Sequence, residues 1–456
     1  MVEVVYDQIV IGAGASGLFF AAAGPCGSGL VLEKTARPGT KLLMSGGGHC
    51  NVTHAGSIKD FLPHYHSADA AGTGKQIRTC LYKHNNQELM AFLEFAGVPT
   101  AAQDDGRVFP VSMRAADVRD ALLARAAGNG YAFRYGETVT AIEEGSKAET
   151  VSDDTAEREG VGGAAETGGS VAEAGFAGRR MITVRTVRTD GTAGEYRARA
   201  VVVATGGCSY PSTGSDGGML AVLARDLGLR VAEVRPSLCP VDIAGFPYAD
   251  LAGISFENVQ LTAAGTAAAT SSGTGSGGGA AGARSAGPLL LTHTGYSGPA
   301  ALNLSGSLSA GDVISVNYIY PTTYEEALRA LTEASRNTKA GLATIIAEAF
   351  AIPTRFAGTV AASAGPSLKR VASVLTGDRQ TVRSAGSFSD AMVTRGGVSL
   401  NQVDLRTMEL RNHPGIYVIG EALDVDGDTG GYNLQFAYSS ARAAADALVQ
   451  TADALV

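Results

Sequence analysis

The chain has 456 residues, with 36 lysines and arginines against 44 aspartates and glutamates, so its net charge at pH 7 is −8. This length is sufficient for about three domains of ~150 residues each. The acidic balance, without a basic cluster along one element, argues against nucleic acid as a principal partner. No stretch reaches the ~18 apolar residues of a membrane span, and no leader pattern precedes the first predicted strand, so we expect a cytoplasmic protein without a membrane partner.

The cysteines are widely spaced and form no Cys-x-x-Cys pair, which predicts reduced thiols and no dithiol chemistry. They are Cys26, Cys50, Cys80, Cys208 and Cys239. No group of histidine, cysteine and carboxylate residues has the spacing of a metal site. His64 and His66 lie in a loop-like stretch, and we interpret them as solvated side chains.

The first 34 residues predict a strand, a glycine turn, a helix and a second strand that ends in an acid. The apolar run 8–11 leads into Gly12, Gly14 and Gly17, and Glu33 follows Gly12 by 21 residues. In a dinucleotide-binding unit, such glycines permit the tight turn, the approach of backbone N–H groups to the pyrophosphate, and close helix packing. The phosphates then lie at the helix N-terminus. A carboxylate at Glu33 would repel a 2′-phosphate, so the pattern indicates FAD or NAD rather than NADP.

Two stretches lack the apolar residues that a packed core needs. Residues 143–180 are rich in Gly, Ala, Ser, Thr and Glu, and residues 262–287 include a run of glycine and serine. We interpret both as flexible, low-complexity insertions. A Gly-x-Gly pattern in the second has no strand before it and no helix after it, so it predicts no second dinucleotide site.

Regular patterns resume after the first insertion. Residues 181–188 alternate as a strand, and residues 195–200 return after a turn. The apolar run 201–207 predicts a buried parallel strand that ends in small residues. Further elements are a strand, turn and helix over 291–302, helical sequence over 324–350, a second buried strand over 415–421, and a last helix over 434–454.

The position of the second buried strand near the C-terminus has a topological consequence. The N-terminal and C-terminal parts of the chain must complete one sheet. Ligands bind at the carboxyl ends of such strands, so Gly12, Gly206 and Gly420 are expected to meet at one cofactor.

Four blocks of sequence carry a family resemblance: residues 9–17, 41–53, 204–207 and 420–435. Residues 105–110 and 292–299 support it. On these blocks the chain resembles the YhiN/BaiN-like family of NAD(P)/FAD-dependent oxidoreductases, within the glutathione-reductase-like two-dinucleotide-binding flavoprotein superfamily. The second and fourth blocks are specific, because neither belongs to Rossmann folds in general. The chain departs from the family at His49, where members usually carry arginine.

The patterns and the resemblance together predict an α/β fold. A Rossmann-like FAD-binding domain is assembled from residues 1–208 and 396–456. It is interrupted by an inserted β-rich and helical domain at 209–395, which covers the flavin and shapes a substrate pocket. The two low-complexity insertions fall within the first part and the inserted domain.

The resemblance also implies a set of FAD-binding residues, which we group by the part of the cofactor that each would contact. The pyrophosphate is assigned to Gly12, Gly14, Ala15, Ser16 and Gly17, and the adenosine part to Glu33, Lys34 and Val139. The flavin side is assigned to Lys41, Ser45, Gly46, Gly47, Cys50 and Asn51, and the ribityl chain to Asp424. The flavin pyrimidine ring is assigned to a helix N-terminus formed by Gly431, Tyr432, Asn433 and Leu434. The strand ends add Thr205, Gly206, Gly207, Gly420 and Glu421.

Several of these residues have simpler interpretations. Cys50 is favoured as a packed thiol over a redox partner, and Tyr432 as a ring that packs on the flavin over a proton donor. His293 is favoured as a capping or core histidine over a substrate ligand. Gly430 and Gly431 also suit a plain turn before the last helix. No catalytic residue is assigned.

The function implied is that of an FAD-dependent oxidoreductase which reduces a small organic substrate through non-covalently bound flavin. Because the chain has no second glycine fingerprint, NADH or NADPH would bind transiently as the electron donor. One alternative is an oxidase or dehydrogenase that its substrate reduces directly. Another is a non-catalytic FAD- or NAD-binding sensor or interaction protein, whose acidic insertion recruits a partner.

Overall fold

The computed structural model describes residues 4–69, 72–145, 180–264 and 282–453. The chain forms two compact units, the first from residues 1–234 and 394–456 and the second from 235–393. The sequence placed the first boundary at 208 and 209. The observed boundary lies later, because the helix Gly218–Leu227 and the start of the strand Val231–Ser237 belong to the first unit.

The first part of the first unit contains strands β1 to β10 and helices α1 to α7, and β11 leads out of it. The strands are β1 Val5–Ile11, β2 Gly29–Glu33, β3 Thr53–His54, β4 Tyr65–His66, β5 Thr100–Ala102, β6 Arg107–Pro110, β7 Tyr131–Tyr135, β8 Glu137–Glu144, β9 Ile182–Arg188, β10 Ala193–Val203 and β11 Val231–Ser237. The helices are α1 Ala15–Ala23, α2 Thr40–Met44, α3 Ile58–Phe61, α4 Thr73–Lys83, α5 Asn86–Phe95, α6 Ala115–Gly128 and α7 Gly218–Leu227.

The second unit and the return to the first complete the series. The second unit holds β12 Val241–Ile243, β13 Ser255–Ala263, β14 Arg284–Leu291, β15 Gly295–Ser297, β16 Val313–Asn317 and β17 Asp378–Ser384, with α8 Pro299–Ser305, α9 Tyr324–Asn337, α10 Leu342–Phe350, α11 Thr354–Ala364 and α12 Leu368–Gly377. The returning chain forms β18 Val393–Val398, β19 Val403–Asp404, β20 Glu409–Leu410, β21 His413–Val418, β22 Asp426–Gly427 and α13 Tyr432–Asp453.

The main sheet of the first unit has the order β19-β20-β21-β10-β1-β2-β7. Its five strands from β21 to β7 are parallel. Ile11 pairs with both Leu32 and Val203, and Val203 pairs with Val418. The carboxyl ends of β1, β2, β10 and β21 are therefore level, and the residues that follow them share one edge of the sheet. This confirms the predicted Rossmann-like sheet built from both ends of the chain.

Burial explains why these segments form strands. Ile9, Val10, Leu30 and Val31 are fully buried, as expected for a parallel sheet that is covered on both faces. β10 corrects the sequence interpretation, because the predicted return strand and the apolar run after it form one strand, Ala193–Val203. Its first half pairs antiparallel with β9, and its whole second half pairs parallel with β1.

The second unit is built around a closed six-stranded barrel of order β12-β15-β14-β13-β16-β17. Three buried tyrosines share hydrogen bonds in its core. The hydroxyls of Tyr296 and Tyr318 lie 2.6 Å apart, and Tyr318 and Tyr248 donate to Asp378 Oδ2 at 3.1 Å and 2.8 Å. A Cβ at Gly295 would lie 2.1 Å from the carbonyl oxygen of Val241. Part of the 292–299 block thus serves to close the barrel.

Other sequence predictions need correction at the level of elements. The helical stretch 324–350 is two helices, α9 and α10. Residues 262–263 and 284–287 lie in β13 and β14 rather than in a flexible insertion, and residues 143–144 end β8. The remainder of both insertions lies outside the described residues, apart from short flanks. Within the described ranges, no helix is long and apolar enough to cross a membrane.

Candidate cofactor site

The turn between β1 and α1 uses its three glycines in two different ways. Gly12 has φ +102°, and a Cβ there would lie 2.7 Å from the carbonyl oxygen of Ala204. A Cβ at Gly17 would lie 2.0 Å from the oxygen of Gly12. At Gly14, in contrast, the nearest atom to an added Cβ is 3.9 Å away. The fold itself requires the first and third glycines, whereas the space at Gly14 is open to a ligand.

Glu33, at the end of β2, is tied to this turn. Its carboxylate accepts the Ala13 N–H at 2.8 Å and the Thr35 N–H at 2.7 Å, and the residue is 8% exposed. The acid predicted to bind a ribose therefore also holds the glycine turn in place. Lys34 forms an ion pair with Asp216 instead of pointing freely into solvent.

The strand ends of β10 and β21 contribute small residues and one unsatisfied hydroxyl. Gly206 and Gly420 have φ +70° and +64°, and a Cβ at Gly420 would lie 2.6 Å from Ser16 Oγ. Gly12, Gly206 and Gly420 thus follow three adjacent strands, as the sequence predicted. Thr205 Oγ1 is buried, and no described residue forms a hydrogen bond with it. A buried hydroxyl without a partner is uncommon, and a bound ligand would satisfy it.

Lys41 and Glu421 form a partly buried ion pair beside this edge. Lys41 Nζ donates to Glu421 Oε2 at 2.7 Å and to Ser209 Oγ at 2.6 Å. Glu421 Oε1 accepts the Ser209 hydroxyl and the Thr394 N–H, both at 2.9 Å. This network joins the start of α2 to the ends of β10 and β21.

The 41–53 block forms a turn of left-handed glycines. Gly46 and Gly47 have φ +56° and +67°, and a Cβ at Gly47 would meet nothing within 4 Å. In the amide orientation that satisfies its neighbours, the Asn51 side chain donates to the Val108 oxygen at 3.1 Å and accepts the Gly431 N–H at 3.1 Å. The 41–53 block therefore contacts the 420–435 block directly, although the two are far apart in sequence.

Helix α13 begins at this contact. Gly431 has φ +98°, and a Cβ there would lie 2.6 Å from the carbonyl of Thr53. The Gln435 N–H donates to the Gly431 oxygen at 2.9 Å. The helical ladder therefore starts at Gln435, and the N–H groups before it have no partner within the helix. These are the N–H groups of Tyr432, Asn433 and Leu434.

Two predicted cofactor residues have other contacts in the structure. Asp424 is fully buried, and its carboxylate accepts the Ser67 hydroxyl at 2.6 Å and the Ala68 and Asp69 N–H groups at 2.8 Å and 3.1 Å. It holds that loop, so a contact with the ribityl chain does not follow from its geometry. Val139 lies in β8, 8% exposed, opposite a residue of β9.

The two singled-out histidines His49 and His293 are both exposed. His49 is the position at which the chain departs from the family's arginine, and it lies in an exposed turn. Its Nδ1 is 2.9 Å from the Met113 backbone oxygen. His293 occupies the tip of the turn between β14 and β15, where Thr294 donates to Asp242 at 2.6 Å. Of the two favoured interpretations of His293, a capping or a core histidine, the core one is wrong, because the residue is exposed.

His64 and His66 are not simply solvated, which corrects the sequence interpretation. His64 Nδ1 and His66 Nε2 each lie 2.9 Å from one oxygen of Asp428. Burial alone would raise the pKa of Asp428, but the hydrogen bonds from the two imidazoles outweigh it and hold that pKa below its usual value. The chain separation between these residues left no local signal from which the contact could have been predicted.

Cys50 is buried, and burial raises the pKa of its thiol to about 11, against a smaller opposing effect of the Ser45 hydroxyl. Since the thiolate is the reactive form, we expect iodoacetamide to leave Cys50 unmodified near neutral pH while it alkylates the exposed Cys26. Mass spectrometry of the intact, folded protein checks this. Alkylation of Cys50 as fast as Cys26 would show a reactive thiol and reopen a redox role.

The edge of the sheet fits a dinucleotide. It combines the open space at Gly14, the Thr205 hydroxyl, which has no described hydrogen-bond partner, and the N-terminus of α1, which favours anions. The sequence profile described as "HI0933-like protein Rossmann domain" matches the chain in two segments, residues 6–178 and 170–447. The chain belongs to the HI0933-like family. This confirms the predicted family of FAD-dependent oxidoreductases with a Rossmann-like nucleotide-binding sheet.

Curated relatives of this HI0933-like protein match it over almost its full length. A ribosomal RNA dihydrouridine synthase of Escherichia coli is 28% identical, over 97% of this chain and 98% of the relative. One of the same description from Haemophilus influenzae is 26% identical over 96% and 97%. A 3-dehydro-bile acid delta(4,6)-reductase of Clostridium scindens is 26% identical over 96% and 98%.

Proposed function

We propose that this protein is a NAD(P)H-dependent reductase that uses non-covalently bound FAD to saturate a carbon–carbon double bond conjugated to a carbonyl in a small organic substrate. The observation that carries the proposal is the meeting of the α1 turn with the β10 and β21 ends at one edge of the sheet, beside the open space at Gly14. The relatives' names support the reaction type. Dihydrouridine is uridine with its ring double bond reduced, and a delta(4,6)-reductase by name acts on double bonds.

The residues at this edge would hold the two ends of FAD differently. The turn from Gly12 to Gly17 would bind the pyrophosphate through backbone N–H groups. The N–H groups at the start of α13 would face the flavin pyrimidine ring, where the positive end of the helix dipole favours negative charge. When bound, the flavin supplies the hydride chemistry, and the protein supplies orientation and electrostatics.

Charge favours a small molecule over RNA as the substrate. The net charge of −8 supplies no general attraction to phosphates, although two relatives are described as acting on ribosomal RNA. NADH or NADPH would bind transiently, because the chain carries no second glycine fingerprint. The small-molecule partner and the cytoplasmic location stay predictions from the sequence.

The proposal is tested by anaerobic half-reactions of the FAD-loaded protein. We expect NADH or NADPH to bleach the flavin absorption, and 2-cyclohexen-1-one or free uridine to restore it. Restoration by ribosomal RNA alone would assign the substrate to nucleic acid. A flavin that neither nicotinamide bleaches, but that a saturated ketone reduces, would favour the dehydrogenase alternative and contradict the proposal.

A further inference from the structure

His64 and His66, which both contact Asp428, are not among the predicted cofactor residues. Their hydrogen bonds to Asp428 show which nitrogen of each ring carries a hydrogen. A carboxylate only accepts hydrogen bonds, so His64 must carry its hydrogen on Nδ1 and His66 on Nε2. The side chains of His64 and His66 are 39% and 36% exposed, whereas that of Asp428 is 15% exposed. One largely buried carboxylate therefore orients two imidazoles whose other ring nitrogens, His64 Nε2 and His66 Nδ1, have no described hydrogen-bond partner.

The His64 ring, which is oriented by its hydrogen bond to Asp428, also stacks on Tyr432. Its ring centroid lies 4.3 Å from that of Tyr432, with 15° between the planes. Burial, followed by the charge of Asp428, raises the pKa of Tyr432 to about 12, so this phenol keeps its proton near neutral pH. Burial raises the pKa of the neighbouring Tyr65 well above its usual value too. The two phenols therefore do not donate protons near neutral pH, and the imidazoles are the remaining candidates for that role here.

Contacts connect this pair to the proposed flavin side of the site. Asn51 bonds the Gly431 N–H, and Gly431 precedes Tyr432, on which His64 stacks. Strand β4, which carries His66, pairs with β22, so that Asp426 lies opposite His66. His64 therefore stacks on the first residue of α13.

We propose that His64 is the proton donor of the reductase, and that Asp428 and His66 are its positioning residues. This inference rests on the proposed function. Saturating a conjugated double bond adds a hydride to one carbon and a proton to the carbon next to the carbonyl. When bound, the reduced flavin would supply the hydride; the proton would come from Nε2 of the imidazolium form of His64, whose Nε2–H bond breaks as the C–H bond forms while Nδ1 keeps its hydrogen on Asp428. The neutral imidazole left behind regains a proton from water, to which the ring is exposed.

The test separates proton delivery from electron transfer. In His64→Gln we expect unchanged FAD content and unchanged flavin bleaching by nicotinamide, but a fall of at least ~100-fold in reoxidation by 2-cyclohexen-1-one. Reoxidation by ferricyanide, which takes electrons without forming a C–H bond, should stay at the wild-type rate. Asp428→Asn should show the same selective loss, to a smaller extent, because the imidazole remains but is no longer oriented.

His54→Gln is the matched control. The His54 ring is also nearly parallel to Tyr432, at 5.8 Å, but its ring nitrogens bond the backbone, with Nε2 3.2 Å from the Asp105 oxygen and Nδ1 accepting the Gly56 N–H at 3.1 Å. Its enone rate should equal that of the wild type. A second readout does not depend on turnover: imidazole NMR signals should show hydrogen-bonded N–H groups at His64 Nδ1 and His66 Nε2 in the wild type, and Asp428→Asn should change both. Asp428 and Tyr432 contact the pair directly, and the titratable groups His54, Tyr65 and Asp60 lie around Tyr432.

Three results would overturn the proposal, and each is distinguishable. An enone rate in His64→Gln equal to that of the wild type would exclude His64 as the donor while leaving the reductase intact. Equal losses with the enone and with ferricyanide, or loss of FAD, would show a structural role only. Failure of the wild type to reduce the enone or uridine would be a failure of the proposed function, and the donor role would fall with it.

Discussion

Gly14→Val is expected to give a folded protein that does not retain FAD. An added Cβ at Gly14 has no protein atom nearer than 3.9 Å, so the fold accommodates the side chain. The valine would instead occupy the space through which the pyrophosphate approaches the α1 N–H groups. We expect FAD affinity to fall by at least ~100-fold, which corresponds to about 2.8 kcal/mol of binding free energy. Isothermal titration of the apo protein with FAD measures it.

Gly128→Val provides the matched control for this substitution. Gly128 ends α6, and an added Cβ there meets nothing within 4 Å outside the backbone of its own helix. Its FAD affinity should be that of the wild type. If Gly14→Val were recovered with full flavin content, the assignment of the pyrophosphate to this turn would be wrong. Gly12 and Gly17 are unsuitable for the experiment because their substitution disturbs the fold itself.

Arg395→Met should destabilise the first unit strongly. Arg395 donates to both oxygens of Asp426 at 2.9 Å, and the two side chains are 10% and 1% exposed. Removing the arginine takes away the cation that bonds both oxygens of this buried carboxylate, which costs about 3–5 kcal/mol. The loss should appear as a lower urea midpoint for unfolding of the FAD-loaded protein, followed by circular dichroism.

The surface pair of Arg406 and Asp404 is the control, because it has the same kind of two-bond contact but an exposed arginine. Arg406 also contacts both oxygens of its partner, at 3.1 Å and 2.9 Å, but its side chain is 75% exposed. Arg406→Met should leave the urea midpoint nearly unchanged, because an exposed pair is screened by water. Equal midpoints for the two variants would contradict the account, in which burial rather than geometry makes the Arg395 pair important.

The sequence was most informative where structure is set locally. The turn from Gly12 to Gly17 and the position of Glu33 follow from the lengths of β1, α1 and β2, which hydrophobic period and glycine placement determine. The sharing of one sheet by both chain ends followed from the second apolar run near residue 416. Parallel register then brings the strand ends level without further information.

Contacts between distant parts of the chain had no such signal. Lys41 and Glu421 are 380 residues apart, and His64 and Asp428 are 364 apart. Each pair meets only because segments that are remote in sequence become neighbours in the fold. The sequence likewise predicted a β-rich and helical inserted domain at 209–395, but the closure of its six-stranded barrel depends on pairings between strands that alternation alone does not encode.

The central claim, that this edge of the sheet binds FAD for catalysis, is tested most directly by the absorption spectrum of the purified protein after incubation with FAD and removal of the excess. We predict a flavin spectrum at one FAD per chain, which NADH or NADPH bleaches under anaerobic conditions. A protein that retains no flavin after this treatment, although folded, would contradict the account and favour the non-catalytic alternative.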